Sequence, residues 1–245
     1  MRWTKYVAVG DSFTEGMDDR LPDGTYRGWA DLVAGALKVK YANLAIRGRL
    51  FDGVVTEQVA PALALKPDLI SFAAGGNDVL RRQCDPPTLM TRYDKVIQDL
   101  RSSGADVLVF RFADVMARLP GTKMIAPRVI FLNQAVGETA ERHGALLVDL
   151  WADEEYANPA MWSTDRLHMS AFGHRRTAAH VLTTLGVDPD PDWWSVPPWP
   201  KAKSWPAARA ADAVWAGKHL APWIKRRLTG RSSGDGISAK RPAFD

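Results

Sequence analysis

The chain has 245 residues, 46% of them apolar, and no apolar run approaches the roughly 20 residues that a membrane span needs. Its single cysteine, Cys84, excludes an internal disulfide. The net charge of +4 is concentrated at one end, because residues 201–245 hold ten Lys/Arg and three Asp/Glu while residues 1–200 are acidic overall. This distribution argues against nucleic acid as a partner of the main part of the chain.

Apolar, strand-like runs alternate with helix-like segments up to Gly186. Strands are predicted near residues 5–10, 39–45, 68–74, 105–112 and 145–150. Helices are predicted near residues 28–37, 51–65, 88–103, 128–143 and 170–185, and three of them are predicted to end at a glycine, namely Gly104, Gly144 and Gly186. Most of the strands are nearly continuous apolar runs, which are typical of strands covered on both faces. The alternation predicts an α/β protein, a three-layer α/β/α sandwich around a parallel five-stranded sheet.

The composition changes after Gly186. Residues 187–206 are rich in proline and tryptophan, and residues 206–228 predict a helix that Pro222 interrupts. We therefore expect a domain at 1–186, a Trp/Pro-rich strap and amphipathic helix at 187–228, and a basic flexible tail at 229–245. The N-terminal residues lead straight into the first strand without a secretory signal, which predicts a cytoplasmic protein.

Six of the ten tryptophans lie between residues 187 and 228, and two interpretations stay open. One is a strap that crosses the sandwich and buries the indole rings, since aromatic side chains carry large apolar areas. The other is a basic amphipathic helix at 205–228 that makes weak contact with a membrane surface or with a partner.

Four short motifs lie where predicted strands end or where the last helix begins. They are Gly10-Asp11-Ser12, Asn43 to Gly48, Gly75-Gly76-Asn77-Asp78 and Asp165-Arg166-Leu167-His168. Because the carboxyl ends of parallel strands meet at one edge of a sheet, the motifs are expected to converge there.

Together these motifs hold the groups needed for nucleophilic attack on an acyl carbonyl. Ser12 would attack an acyl carbonyl, His168 would act as general base and then as general acid, and Asp165 would orient the imidazole. The backbone N–H groups of Ser12 and Gly48 and the side-chain amide of Asn77 would form the oxyanion hole. Gly48 suits this role because a side chain would block the close approach of the backbone.

Each motif alone has a simpler interpretation. Ser12 could cap the following helix, Asn77 and Asp78 suit a turn, and Asp165 could cap the last helix beside a half-buried His168. Their joint occurrence favours the catalytic interpretation. The other histidines show no convincing metal spacing, and Gly230 to Gly234 fits a G-x-S-x-G pattern without the strand and helix which that motif needs.

The four motifs, in this order, resemble those of the SGNH/GDSL hydrolase family, and the resemblance covers residues 6–185. It is closest to an actinobacterial type with a Trp-rich, basic C-terminal extension. The resemblance implies the flavodoxin-like SGNH hydrolase fold, the catalytic residues Ser12, Asp165 and His168, and the oxyanion residues Ser12, Gly48 and Asn77. It also implies that no metal or cofactor is needed.

The resemblance further implies hydrolysis of a small-molecule carboxylic ester, with a short-chain acyl or O-acetyl group as the first expectation. Acyl transfer through the same acyl-enzyme, or action as a (lyso)phospholipase or thioesterase, is the alternative, and a non-enzymatic binding module is the third. We expect the loop at 17–27 to lie beside Ser12 and the region 113–127 to form another wall of the pocket. The sequence leaves the oligomeric state open.

Overall fold

The computed structural model describes residues 2–116, 118–119, 122–201 and 204–244. Five strands form a single sheet: β1 Lys5–Gly10, β2 Lys40–Asn43, β3 Leu69–Ala73, β4 Asp106–Arg111 and β5 Leu146–Asp149. Their order is β2-β1-β3-β4-β5, and every neighbouring pair is parallel. The predicted five-stranded parallel sheet is confirmed, and each strand lies within its predicted range.

The described residues form ten α-helical segments. They are α1 Ser12–Glu15, α2 Gly28–Leu37, α3 Phe51–Val54, α4 Ala60–Ala64, α5 Gly76–Val79, α6 Pro86–Ser102, α7 Ala126–His143, α8 Ala171–Thr184, α9 Trp205–Trp215 and α10 Ala221–Leu228. Short 3-10 turns cover Thr122–Met124, Glu154–Ala157, Pro159–Met161 and Pro191–Trp194. The glycine stops predicted for three helices are confirmed, because Gly104, Gly144 and Gly186 all have positive φ.

The sheet separates two apolar cores. Along β1, Tyr6 and Ala8 point into one core and Val7 and Val9 into the other, as the period of a strand requires. Helices α2 and α8 cover the first core, and α6 and α7 cover the second. Three layers result, which confirms the predicted α/β/α sandwich.

The helix predicted at 51–65 is interrupted by a π-helical turn at Val55–Val59. A second π-helical turn, Ala216–Leu220, joins α9 to α10. Pro61 and Pro222 are each the second residue of the α-helical segment that follows such a turn. A proline ring clashes with the carbonyl four residues earlier, and in both places that carbonyl lies inside the wider turn. The chain therefore continues through both prolines.

The C-terminal segment packs back onto the sandwich, unlike the flexible tail expected at 229–245. Arg241 forms an antiparallel bridge with Asn43, beside the end of β2. The Lys240 ammonium donates to the carbonyl oxygens of Glu15 and Arg27, both at 2.6 Å. Composition did not reveal this because the partners of Lys240 lie 225 and 213 residues away in sequence.

The tryptophans of residues 187–228 divide between the two interpretations left open by the sequence. Trp215 is buried, whereas Trp199 and Trp205 are 60% and 75% exposed. No helix in the described ranges is long and apolar enough to cross a membrane. Contact of residues 205–228 with a membrane surface stays a prediction.

Candidate active site

Ser12 lies at the carboxyl end of β1, in the first turn of α1. Asp11 is the N-cap of that helix, and its carboxylate accepts from the Phe13 N–H at 3.0 Å. Ser12 therefore does not cap the helix, and its hydroxyl is available to other groups. Gly10 allows the tight exit from the strand, since a Cβ there would lie 2.7 Å from the Ala73 carbonyl oxygen.

His168 joins Ser12 to Asp165. Its Nε2 lies 2.9 Å from the Ser12 Oγ, and its Nδ1 lies 2.5 Å from Asp165 Oδ2. The other Asp165 oxygen, Oδ1, accepts from the backbone N–H groups of Leu167 and His168, both at 3.0 Å. Two motifs separated by about 150 residues thus meet in one hydrogen-bonded chain, as the sequence predicts.

The electrostatics of the pair favour an ionised Asp165 beside a basic His168. Burial alone would raise the pKa of Asp165, but the hydrogen bond and charge of His168 outweigh it and hold that pKa well below its ordinary value. Burial alone would lower the pKa of His168. The hydrogen bond and charge of Asp165, with smaller contributions from Asp18 and Asp11, raise it above the ordinary value.

The loop that carries Asp165 and His168 is braced by α9. The Trp215 Nε1–H donates to the Asp165 carbonyl oxygen at 3.1 Å, and the Arg166 guanidinium lies over the Trp215 ring at 4.7 Å from its centroid. Arg166 also forms an ion pair with Asp212 at 2.8 Å. Arg166 has a φ of 67°, so its backbone lies in the left-handed region and turns the chain between Asp165 and His168. These contacts from α9 are not predicted from the sequence.

Asn77 stands in α5, directly after β3, and its amide is engaged twice. Nδ2 donates to Asp11 Oδ2 at 2.9 Å and to the Arg49 carbonyl oxygen at 3.0 Å. Both amide hydrogens are therefore occupied. Burial raises the pKa of the Asp11 carboxyl to about 6. The neighbouring Asp78 has an anchoring role, since its carboxylate accepts from the Phe51 N–H at the start of α3.

Gly48 lies in the loop after β2, next to Arg49, whose carbonyl holds Asn77. The φ of Gly48 is 71°, a conformation that favours glycine. The loop is fixed to α1 by Arg47, which is ion-paired with the buried Glu15 and donates to it from its backbone N–H at 2.7 Å. In the described part of the chain, the N–H groups of Ser12 and Gly48 donate to no other residue.

Asp18 is a second carboxylate near His168, with Oδ2 at 4.0 Å from Nδ1. It lies in the loop at 17–27 that was expected beside Ser12. Asp18, Asp165 and His168 hold oxygen and nitrogen atoms close enough to surround a cation. However, both His168 nitrogens already have partners in Asp165 and Ser12, so hydrogen bonding accounts for the arrangement without a metal.

An apolar cleft of about 810 Å³, measured out to its open mouth, lies beside Ser12, Asn77 and His168. Its walls are aromatic and aliphatic side chains: Phe13, Met17, Val79, Leu80, Phe112, Val115, Val129, Leu132, Trp162, Leu167 and Met169. His174 lines it as well, and burial lowers its pKa to about 4, so this imidazole stays neutral. It bonds to the Trp29 N–H and the Met17 carbonyl, as expected of a structural histidine.

Of the described residues in the wall predicted at 113–127, only those at its beginning line the cleft. Ala113 and Val115 line the cleft, whereas Met116 does not and Met124 is 64% exposed. Ala117, Pro120 and Gly121 lie outside the described residues. The methionines that do line the cleft, Met17 and Met169, come from the loops next to Ser12 and His168.

Solved structures share this architecture. One is a catalytic mutant of Axe2, an acetylxylan esterase from Geobacillus stearothermophilus, at 19% identity, with 83% of this chain and 100% of that chain covered and a TM-score of 0.64. Another is the lipase/acylhydrolase from Enterococcus faecalis, at 23% identity, with coverages of 76% and 98% and a TM-score of 0.60. A third is an alpha/beta hydrolase from the metagenome of Lake Arreo in Spain, at 24% identity, with coverages of 75% and 95% and a TM-score of 0.56. These likenesses define the fold as that of the SGNH hydrolases.

Residues 8–176 match the GDSL-like Lipase/Acylhydrolase family, and the chain belongs to that family. It is an ester-cleaving hydrolase. The sequence has no match among curated proteins. The matched region ends inside α8, so the C-terminal segment that braces the Asp165 loop lies beyond it.

Proposed function

We propose that the protein is a serine esterase that cleaves carboxylic esters with a short acyl or O-acetyl group through an acyl-enzyme on Ser12. The observation that carries the proposal is the hydrogen-bonded chain from Ser12 Oγ through both nitrogens of His168 to Asp165. A neutral Nε2 at 2.9 Å from a serine hydroxyl is positioned to take its proton.

In the proposed reaction, His168 accepts the Ser12 proton as Oγ attacks the ester carbonyl carbon. Asp165 accepts the Nδ1–H and stabilises the imidazolium. His168 then gives the proton to the leaving alcohol, and an acyl-Ser12 ester remains. Water, deprotonated by His168, then attacks this ester. As the tetrahedral intermediate collapses, His168 returns the proton to Ser12 Oγ, and the carboxylic acid is released.

The negative oxygen of each tetrahedral intermediate would be held by the Ser12 and Gly48 N–H groups, which donate to no other residue in the described part of the chain. Asn77 would be the third donor. Because its amide hydrogens are bonded to Asp11 and to the Arg49 carbonyl, one of these bonds must give way to the oxyanion. In this proposal the Ser12 and Gly48 N–H groups donate to the oxyanion without giving up another bond, and the Asn77 amide exchanges one of its bonds as negative charge develops.

The substrate proposal draws on the cleft and on the family. Apolar walls next to Ser12 suit an acyl group. Two of the solved structures that this chain resembles are described as acetylxylan esterases, which supports an O-acetyl ester as the first substrate to test. Transfer of the acyl group to an alcohol other than water uses the same acyl-enzyme, and analysis of products with an added sugar acceptor separates the two reactions.

The first experiment measures hydrolysis of p-nitrophenyl esters from acetate to palmitate by the wild type and by Ser12→Ala. We expect activity that is highest for the short esters and that falls about 10³-fold or more in the variant. Ser102→Ala, a change on the outer face of α6, is the matched control and should leave the rate unchanged. Wild-type activity that survives in Ser12→Ala would contradict the proposed nucleophile.

A double variant tests whether the side chains act as one unit. Removing the nucleophile abolishes the step that the base assists, so Ser12→Ala combined with His168→Ala should be no slower than Ser12→Ala alone. If the two losses multiply instead, His168 acts on something other than Ser12, and the proposed mechanism fails.

A further inference from the structure

A second cavity adjoins the apolar cleft, and Asn77 and Leu80 line both. It measures about 440 Å³ out to its mouth, and Asn77 and Gly48 form its wall on the side of the sandwich. Asn77 therefore borders both cavities, whereas Ser12 and His168 line only the apolar one. A ligand held in the second cavity would lie next to the proposed oxyanion donors.

Three guanidinium groups line this second cavity. Arg81 follows α5, Arg226 belongs to α10 and Arg231 comes shortly after α10. Within the described ranges none of the three forms an ion pair with a carboxylate. The acidic group closest in sequence to Arg231, Asp235, instead accepts from the Ser232 N–H at 2.9 Å.

Two arginines beside the active-site loops are, by contrast, neutralised. Arg47 is paired with Glu15, and Arg166 with Asp212. The cavity at Arg81, Arg226 and Arg231 thus combines three positive charges, none of which is in direct contact with a carboxylate of the described residues, although Asp78 lies close enough to Arg81 to feel its charge. Like charges gathered around a concave space raise the local concentration of anions there.

We propose that this cavity binds an anionic group, a carboxylate or a phosphate, carried by the ester substrate. Guanidinium groups match both anions because their planar N–H forks donate two parallel hydrogen bonds. This inference rests on the proposed function and specifies its substrate class: an ester with an apolar part for the first cleft and a negative charge for the second.

The C-terminal segment supplies most of this specificity. Arg226, Arg231 and the half-buried Trp223 all come from residues beyond the region matched to the family. Ser232, which also lines the cavity, donates from its hydroxyl to the Gly48 carbonyl at 3.1 Å and so fixes the segment against the oxyanion loop. The C-terminal segment therefore also determines which ester substrates the site selects.

The charge could belong to either half of the ester, and the experiment has one arm for each. The acyl arm compares the 4-nitrophenyl monoester of adipic acid with that of its monoamide, which has the same shape and no charge. The alcohol arm compares 4-acetoxybenzoate with 4-acetoxybenzamide. In each arm the measured quantity is the ratio of kcat/KM for the charged ester to kcat/KM for the neutral one, within one enzyme preparation.

We expect a ratio well above one in at least one arm for the wild type. Loss of one charged hydrogen-bond partner should lower that ratio by about tenfold in Arg226→Gln and in Arg231→Gln. Because each ratio is taken within one preparation, a smaller folded fraction does not affect it. Arg82→Gln, one residue from Arg81 and outside the cavity, makes the same change in net charge and should keep the wild-type ratio.

Ratios near one in both arms, with the neutral esters still hydrolysed in a Ser12-dependent manner, would overturn the anion site and leave the proposed function standing. A charge preference that Arg82→Gln removes as strongly as Arg226→Gln would also overturn it, because the effect would then come from net charge alone. Failure of every ester to react would instead count against the proposed function.

Discussion

Each ring nitrogen of His168 has a partner, and a third group influences the ring from slightly further away. Asp18 Oδ2 is 4.0 Å from Nδ1, and its negative charge is among the causes that raise the pKa of His168. Activity needs the neutral imidazole, so kcat/KM should fall on the acid side as His168 becomes protonated. Since the pKa is raised, we expect the midpoint of that fall to lie above 6.5.

Asp18→Asn tests this contribution. Removing the negative charge removes one cause of the raised pKa, so the acid limb of the kcat/KM profile should move to lower pH. Asparagine tolerates the positive φ of 71° found at this position, so the backbone is kept. Asp23→Asn, an exposed change in the same loop, is the control and should not shift the limb. An acid limb that stays in place in Asp18→Asn would show that Asp18 does not influence the base.

At the scale of single residues, the sequence predicts those side chains that belong to a short motif. Ser12, Asp165, His168, Asn77 and Gly48 each stand in a motif beside a strand or a helix end, and the sheet brings those ends together. The position of Asp18 depends on how one irregular loop folds. The occupied donors of Asn77 depend on the Arg49 carbonyl, and backbone carbonyls leave no signal in a sequence.

At the scale of elements, α9 supports the loop that carries the acid and the base. The Trp215 Nε1–H donates to the Asp165 carbonyl oxygen, and the ring packs under Arg166. Trp215→Phe keeps an aromatic ring there and removes the donor. We expect kcat to fall several-fold because Asp165 and His168 are held less firmly, while the free energy of unfolding falls by only about 1 kcal/mol.

The control for this prediction lies on the same helix. Trp205 is 75% exposed, so Trp205→Phe should change neither the activity nor the free energy of unfolding. Steady-state rates on p-nitrophenyl acetate and urea unfolding curves give both quantities. Equal kcat values for Trp215→Phe and the wild type would mean that the loop keeps its geometry without α9.

Elements with a strong pattern are predicted well, and elements shaped by packing are not. Continuous apolar runs located the five strands, and the glycines at 104, 144 and 186 located three helix ends. The π-helical turns before Pro61 and Pro222 were not predicted. A proline indicates that a helix is interrupted, but it does not indicate whether the interruption is a break, a kink or a π-helical turn. The brace formed by α9 is a contact over 50 residues of sequence, which periodicity cannot reveal.

At the scale of the whole molecule, the end of the chain is fastened beside its beginning. The Lys240 ammonium, in a side chain only 19% exposed, is surrounded by three carbonyl oxygens and the Asp31 carboxylate. One of those carbonyls belongs to Glu15, the last residue of the helix that carries Ser12. Basic composition predicts solvated lysines in such a tail, and only the folded structure shows that this one is enclosed.

Lys240→Met tests how much this contact stabilises the fold. Removing one partner of a largely buried ion pair leaves the other charge uncompensated, so we expect the free energy of unfolding to fall by about 3 kcal/mol. Lys225→Met, an exposed change on α10, is the control and should have little effect on the same urea curves. Equal losses in the two variants would mean that the contact at Lys240 contributes no more than an exposed lysine.

A second substitution separates the loss of the pair from the loss of packing. Asp31 is also largely buried, and burial raises the pKa of its carboxyl although Lys240 and Arg241 lower it. In Lys240→Met the Asp31 carboxylate loses its main counter-charge, whereas in the double variant Asp31→Asn/Lys240→Met no such charge is left. The double variant should therefore unfold at a higher urea concentration than Lys240→Met alone, with a coupling energy of about 1 kcal/mol or more. Strictly additive losses would show instead that the two groups contribute independently, and the closure of the chain would then depend on its apolar and backbone contacts.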